Sequence, residues 1–183
     1  IDNTDMGNAM RLISMHGGDI KYCFDKKIWL VWNGQIWDMD TKGIIVEKAK
    51  QTVLQMKTNA KYNDYSTYKH AISSQSAAKI KQMIELTKSD ASISILSDEL
   101  DKDHWLISCR NGTLDLASGN LRPHDKQDMI TNMIPVSYNP DARCPKFSSF
   151  LHDIMAGNDN LIKFLQRAVG YSLTGDTGEQ CLF

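Results

Sequence analysis

Apolar residues near the start of the chain recur at helical spacing. Thr4 or Asp5 can cap a helix there, and Gly17 and Gly18 end it shortly after Met15. The pattern predicts a short amphipathic first helix.

Three runs rich in aromatic and β-branched residues follow this helix. They cover residues 20–24, 28–32 and 35–39, and Asn33-Gly34 forms a tight turn before the third run. The pattern predicts an antiparallel three-stranded meander. Its aromatic residues occupy both alternating positions, so at least one ring should face outward, and Trp32 is our candidate. An exposed indole can stack on a nucleobase, although packing against flanking helices is the commoner arrangement.

The spacing becomes helical again between residues 43 and 87. One helix is predicted over residues 44–56 and another over 77–86, joined by a polar segment with a short extra turn near His70. We expect these helices to form a layer against the meander.

A strand is predicted at residues 105–109, directly before the hairpin segment 111–124. That segment combines two turn signals, Asn111-Gly112 and Ser118-Gly119-Asn120, with a short alternation of leucines. Asn111 and Gly112 are both expected to adopt the positive φ of a tight turn. It contains no catalytic chemistry of its own and is interpreted as a rigid structural element.

An extended, proline-containing path then leads to two predicted helices, over residues 146–156 and 159–173. The fold class is therefore α+β, with a small antiparallel meander and hairpins packed against several helices, and a C-terminal helical pair. We expect a mixed region at 1–145 and a helical segment at 146–183, or one domain over 1–183. The apolar final residues suggest a fragment of a longer protein.

Composition is that of an ordinary globular protein, with 42% hydrophobic and 23% charged residues among 183. No apolar run approaches the roughly 20 residues of a membrane span, and the polar N-terminus is unlike a signal peptide. We therefore expect a cytoplasmic protein. The four cysteines are scattered without a Cys-x-x-Cys pair, which argues against structural zinc and favours small, partly buried hydrophobic side chains.

Charge is distributed unevenly although the net charge is −1. Residues 42–88 contain nine lysines and three acids, whereas residues 89–103 contain five acids and one lysine. A basic region of this kind can bind a polyanion, but a solvated helix face is the more frequent explanation. The candidate DNA-binding residues are Lys48, Lys57, Lys61, Lys79, Lys81 and Trp32.

The sequence contains little evidence for a catalytic motif. No glycine is followed by Lys-Ser or Lys-Thr, so the chain lacks a phosphate-binding loop. The pairs Asp38/Asp40 and Asp101/Asp103 have the spacing of Mg²⁺ ligands, but a primase would need a third carboxylate and a triphosphate pocket, and solvated turns are favoured. The histidines show no ligand spacing, and no nucleophile elbow is present. No catalytic, cofactor-binding or metal-binding residues are predicted.

Several segments, in order along most of the chain, resemble the poxvirus-type N-terminal domain of phage and plasmid primase-helicases. They are TDMGNAMRL at 4–12, WLVWNGQIW at 29–37, the hairpin segment 111–124, the path PVSYNPDARCP at 135–145, and FLQRAVGYSLTG at 164–175 with Glu179-Gln180.

The resemblance implies a domain that precedes a superfamily three helicase of the AAA+ class, often with a primase domain upstream. Such helicases act as hexameric rings that hydrolyse ATP and unwind DNA during replication of a mobile element. ATP and Mg²⁺ are expected only for the ATPase domain of the parent protein, and a hexamer only for the full-length protein.

Two functions remain open. The chain is either a non-catalytic module that couples to the helicase ATPase and contacts single-stranded or forked DNA, or a protein-interaction and oligomerisation scaffold without DNA contact. A stand-alone primase is a remote third interpretation.

Overall fold

The computed structural model describes residues 1–60, 64–176 and 178, and the chain folds into two compact units. The first unit is Ile1–Leu100 and the second is Asp101–Phe183. The described residues form six α-helices and two four-stranded mixed sheets, which confirms the predicted α+β class. The predicted boundary at residue 145 lies inside the second unit, between its sheet and its two helices.

The first unit contains the predicted helix, meander and helical layer. The region near His70, predicted as a short turn, is a helix of nine residues. In chain order the elements are α1 (Asp5–His16), β1 (Ile20–Cys23), β2 (Ile28–Trp32), β3 (Trp37–Met39), α2 (Ile44–Ala60), α3 (Tyr65–Ser73), α4 (Ala77–Thr87) and β4 (Ser94–Ile95).

Side chains that accept hydrogen bonds define where three of these helices begin. Thr4 caps α1 by accepting from the amide of Gly7, and Asp64 caps α3 in the same way through Thr67. Ser76 caps α4. Each such cap satisfies a backbone N–H that the helix itself leaves unpaired, and it typically stabilises a helix by about 1 kcal/mol.

The core of the first unit lies between its helices and one face of its sheet. β1 and β2 pair antiparallel, with Ile20 opposite Val31 and Tyr22 opposite Trp29. Because successive side chains alternate between faces, these four residues share the face that packs against the helices. The helices contribute Leu12, Ile45, Ala49, Val53, Met56, Ala71, Ile80 and Met83. Full burial of one such aliphatic side chain contributes about 1.5–3 kcal/mol.

The N-terminal segment crosses α1 at Gly7. A Cβ at this position would lie only 1.9 Å from the carbonyl oxygen of Asp2. Arg11, one turn further along α1, donates to the carbonyl oxygens of Ile1 and Asp2 at 2.7 and 2.8 Å. The TDMGNAMR segment therefore has a structural explanation: its glycine provides room for the crossing chain, and its arginine holds that chain in place.

A buried polar network joins α1 to α3. Asn8 is 1% exposed and Ser74 is fully buried. The Asn8 side-chain amide donates to Ser74 Oγ at 2.9 Å, and Asn8 Oδ1 lies 3.0 Å from His70 Nε2. Since each buried polar atom finds a partner, the network specifies the helix arrangement without a large desolvation cost.

The second unit repeats the sheet arrangement of the first. Its elements are β5 (Leu106–Cys109), β6 (Gly112–Asp115), β7 (Leu121–Arg122), β8 (Met133–Ile134), α5 (Pro145–Ile154) and α6 (Asp159–Leu173). The strand orders are β3-β2-β1-β4 and β7-β6-β5-β8. In both sheets an antiparallel meander is extended by a two-residue strand that runs parallel to the first strand of the meander.

The hairpin segment 111–124 forms β6 and β7, as predicted. Asn111 fixes one end by hydrogen bonding the backbone of Tyr138 in both directions, each at 2.9 Å. At the other end, the Asp115 carboxylate accepts from the amide of Ala117, and Gly119 adopts φ +73°. Of the first turn pair only Gly112 has a positive φ, at +153°, so the predicted positive φ at Asn111 was wrong.

The two hairpin glycines should differ in their tolerance of a side chain. A Cβ at Gly112 would lie 2.4 Å from the carbonyl oxygen of Arg122 on the paired strand, whereas a Cβ at Gly119 meets nothing within 4 Å. Gly119→Ala should cost only the left-handed strain of about 1 kcal/mol. Gly112→Ala should cost about 3 kcal/mol because the strands must separate. Urea unfolding measures both, and equal losses would contradict this account.

The stability of the first unit should fall below neutral pH. Burial is the main cause that lowers the pKa of His70, and the charge of Arg11 is the second. The charge of Asp5 raises this pKa, and the charge of Lys79 lowers it. The unfolded chain takes up a proton near pH 6.5 while the folded chain does not, so the free energy of unfolding decreases as pH falls through about 6.5.

Urea midpoints at about pH 7.5 and 5.5 measure this effect. We expect a lower midpoint at the acidic pH and a smaller difference in His70→Gln, which retains an N–H donor for Asn8 Oδ1. An undiminished difference in this variant would exclude His70 as a source of the pH dependence.

Candidate nucleic-acid interface

A groove of about 630 Å³ lies between α2 and α4 in the first unit. One face of α4 forms its longer wall, because residues 77, 80, 81, 84, 85 and 88 recur at intervals of three and four. The first turns of α2 contribute Ile45, Val46 and Lys50, and Trp29 comes from β2. Helix spacing and strand register together bring these residues to one place.

The inner surface of the groove is apolar. Ile45 and Ile80 are buried members of the core, and Trp29 and Ile84 are partly buried and pack against it. The Trp29 ring centroid lies 5.1 Å from that of Tyr22 on the paired strand. The indole is therefore held by the core on one side while it lines the groove.

Three lysines line the same groove. Lys50 is exposed and lies 3.6 Å from Glu47, a weak surface pair. Lys88 Nζ lies 2.6 Å from Glu85 and 4.8 Å from the centroid of the Tyr22 ring. The hydrogen bond to Glu85 raises the pKa of Lys88, so its ammonium stays charged at neutral pH.

Among the predicted DNA-binding residues that the structure describes, Lys81 alone lines this groove. It is exposed and has no ion-pair partner within the part of the chain that the structure describes. Its position follows from the α4 periodicity, one residue after the buried Ile80.

Three further predicted lysines, Lys48, Lys57 and Lys79, do not line the groove. Lys79 donates to both carboxylate oxygens of Asp5 at 2.7 Å. Burial is the main cause that lowers the pKa of His16, the last residue of α1, and the charge of Lys48 lowers this pKa further. The charge of Lys48 therefore acts at the end of α1. Lys57 is half-buried and about half a helical turn out of phase with Lys48. Lys61 lies outside the described residues.

Trp32 does not share the groove with Trp29. It is half-buried, and its ring centroid lies 5.8 Å from that of Trp37, its partner on β3. Because the two tryptophans are three residues apart in β2, their side chains point to opposite faces of the sheet. Trp29, Lys50 and Lys88 were missed by the sequence analysis. The α4 spacing could have identified Lys88, whereas Trp29 required the strand register.

Three of the four paired carboxylates, Asp40, Asp101 and Asp103, hold local backbone structure. The Asp40 side chain accepts from the amides of Ile44 and Ile45 at 2.8 and 2.9 Å, at the start of α2. Asp101 accepts from the amide and hydroxyl of Thr131, and Asp103 from the amide of Trp105. Among the residues that the structure describes, no three His, Cys, Asp or Glu side chains cluster as metal ligands.

The cysteines differ in environment. Cys23 and Cys109 are buried free thiols whose pKa is raised by burial, as expected for small core side chains. Cys144 is exposed at the start of α5, which departs from that expectation. Cys181 lies outside the described residues. Within residues 1–60, 64–176 and 178, every helix is too short or too polar to cross a bilayer.

Comparison with protein families identifies the chain. The family model described as D5 N terminal like matches residues 9–156, a range that includes all the residues of the groove and both sheets. A comparison with curated proteins finds no match. The matched domain is an N-terminal domain that is distinct from the ATPase domain. It belongs to the same family that the sequence segments indicated. The chain belongs to the D5 N-terminal-like family, the N-terminal domain of phage and plasmid primase-helicase proteins.

Proposed function

We propose that this chain is a non-catalytic, DNA-contacting module of a replicative primase-helicase that works in the cytoplasm of a bacterial host cell. The observation that carries the proposal is the lysine-lined groove between α2 and α4. In the parent protein the module couples to the helicase ATPase domain of the same chain, and that domain holds ATP and Mg²⁺. Hexamer formation belongs to the full-length protein.

The charge distribution supports DNA contact. Residues 42–88 carry nine lysines against three acids, and the exposed Lys50 and Lys81 line the groove. Exposed ion pairs contribute at most about 1 kcal/mol, so a phosphate can displace Glu47 from Lys50 at little cost. Lys48, Lys57, Lys61 and Lys79 stay predictions as further phosphate contacts.

DNA contact should appear as salt-dependent binding. We expect the 183-residue chain to bind labelled single-stranded or forked DNA, with affinity falling on the order of tenfold between about 50 and 200 mM salt, because a few phosphates are neutralised. Fluorescence anisotropy at both salt concentrations measures this. Absence of binding at micromolar protein would remove the DNA function.

A scaffold function is the second candidate, and it rests on the C-terminal helices. Neither α5 nor α6 contains a buried residue. Their exposed apolar side chains include Phe147, Phe150, Ile154, Leu161, Phe164, Val169 and Leu173. Exposed apolar residues in such number commonly mark a protein–protein contact. The partner in this case is the ATPase domain or a neighbouring subunit of the parent protein.

The two functions make different predictions for Phe150→Glu in the full-length parent protein. Phe150 is 53% exposed and stacks only on Phe147 among the described aromatic rings, so this change should not unfold the domain. If the domain is a scaffold, Phe150→Glu should form smaller assemblies, as measured by light scattering, and should bind DNA with unchanged affinity. Ser149→Glu, the same charge on the neighbouring exposed residue, is the control. Full-sized assemblies in Phe150→Glu would count against the scaffold.

A further inference from the structure

We propose that the groove between α2 and α4 binds unpaired bases of a single-stranded polynucleotide, with a base against Trp29 and the backbone along Lys50, Lys81 and Lys88. This inference rests on the proposed function and makes it specific. It names the class of nucleic acid and the residues that select it.

The apolar surface of the groove argues for bases rather than phosphates alone. Trp29, Ile45, Ile80 and Ile84 present aromatic and aliphatic groups where a phosphate would lose its hydration without compensation. The flat faces of nucleobases suit such a surface, and base–aromatic contact is tolerant of sequence. The groove volume of about 630 Å³ falls within the range of sites that enclose small organic groups.

The same surface excludes duplex DNA. In a duplex each base is covered by its neighbours in the stack, and an enzyme or binding protein reaches its face only after unpairing or flipping it. A site whose inner surface is an indole between two helices therefore has nothing to contact in an intact duplex beyond the phosphates. Unpaired strands present their bases directly.

The lysines are arranged to follow a strand. Lys81 lies on α4, and Lys88 is the C-cap residue that follows this helix. The two lie seven residues apart, two helical turns or about 10 Å along the axis, which spans more than one nucleotide step. Lys50 stands on α2, on the opposite wall. A strand lying between the helices would meet an ammonium on each side while its bases point inward.

A change at Glu85 should strengthen DNA binding, whereas changes at the lysines should weaken it. Among the described residues that line the groove, Glu85 is the one acid, and its carboxylate holds Lys88 Nζ at 2.6 Å. Replacing it with glutamine removes the negative charge and releases Lys88 for a phosphate. Glu85→Gln should therefore tighten binding severalfold, in contrast to changes at the lysines.

The test titrates the whole chain with three probes of about 12 nucleotides and equal label. They are a thymidine single strand, a strand with abasic sites throughout, and a duplex. The protein variants are Trp29→Leu, Lys50→Glu, Lys81→Glu and Glu85→Gln. The control is Lys69→Glu, which makes the same charge change at an exposed residue of α3 outside the groove.

We expect the thymidine strand to bind on the order of tenfold more tightly than the abasic strand, because only the former has bases to place against Trp29. Lys50→Glu and Lys81→Glu should each weaken that binding on the order of tenfold, and Lys69→Glu should weaken it much less. Trp29→Leu should bring the affinities for thymidine and abasic strands together. Where Trp29→Leu unfolds by circular dichroism, the two probes still decide the question with the unaltered protein.

Failure of this inference is distinguishable from failure of the proposed function. Binding of DNA with equal affinity for thymidine strand, abasic strand and duplex would overturn the inference and leave DNA contact standing. Equal weakening by Lys69→Glu and Lys81→Glu would also overturn it, since the groove would then be no more than part of a diffuse basic surface. No binding to any probe would overturn both.

Discussion

The antiparallel pairing of β1 with β2 determines which side chains reach the helices of the first unit. It sets Tyr22 opposite Trp29 and Ile20 opposite Val31 on the face that forms the core. Because side chains alternate along a strand, a slip of one residue would move this entire set to the other face. It would also replace Trp29 beneath the groove with its neighbour Ile28 or Leu30. The register is thus both the main packing constraint and the reason the groove contains an indole.

The repeated sheet arrangement is used differently in the two units. In the first, the chain passes through α2, α3 and α4 between β3 and β4, and these helices bury the inner face of the sheet. In the second, the chain between β7 and β8 contains only a single 3₁₀ turn. The helices α5 and α6 follow the completed sheet, and none of their own residues is buried. One topology thus supports a compact helical core in the first unit and an exposed helical pair in the second.

Sequence patterns predicted the long elements well because their signals are local. The α1 cap, the three strands of the meander and the hairpin at 111–124 each follow from residues close together in the chain. β4 and β8 were missed because two residues are too few for an alternation, and because their partners, Tyr22 with Cys23 and Ser108 with Cys109, are remote in sequence. The groove was only partly predicted for a related reason. Lysine count located the basic region, but the rotation of each helix and the strand register decide that Lys81 and not Lys79 lines it.

The shortness of the outer strands has a consequence for behaviour at high concentration. The four strands at the edges of the two sheets, β3, β4, β7 and β8, contain three, two, two and two residues. An exposed sheet edge is a template onto which a strand of another molecule can add through backbone hydrogen bonds, and short edges offer too few bonds to hold it. The two sheets therefore resist edge-to-edge polymerisation through the shortness of their outer strands, and Asp38 in β3 and Arg122 in β7 add charge at these edges.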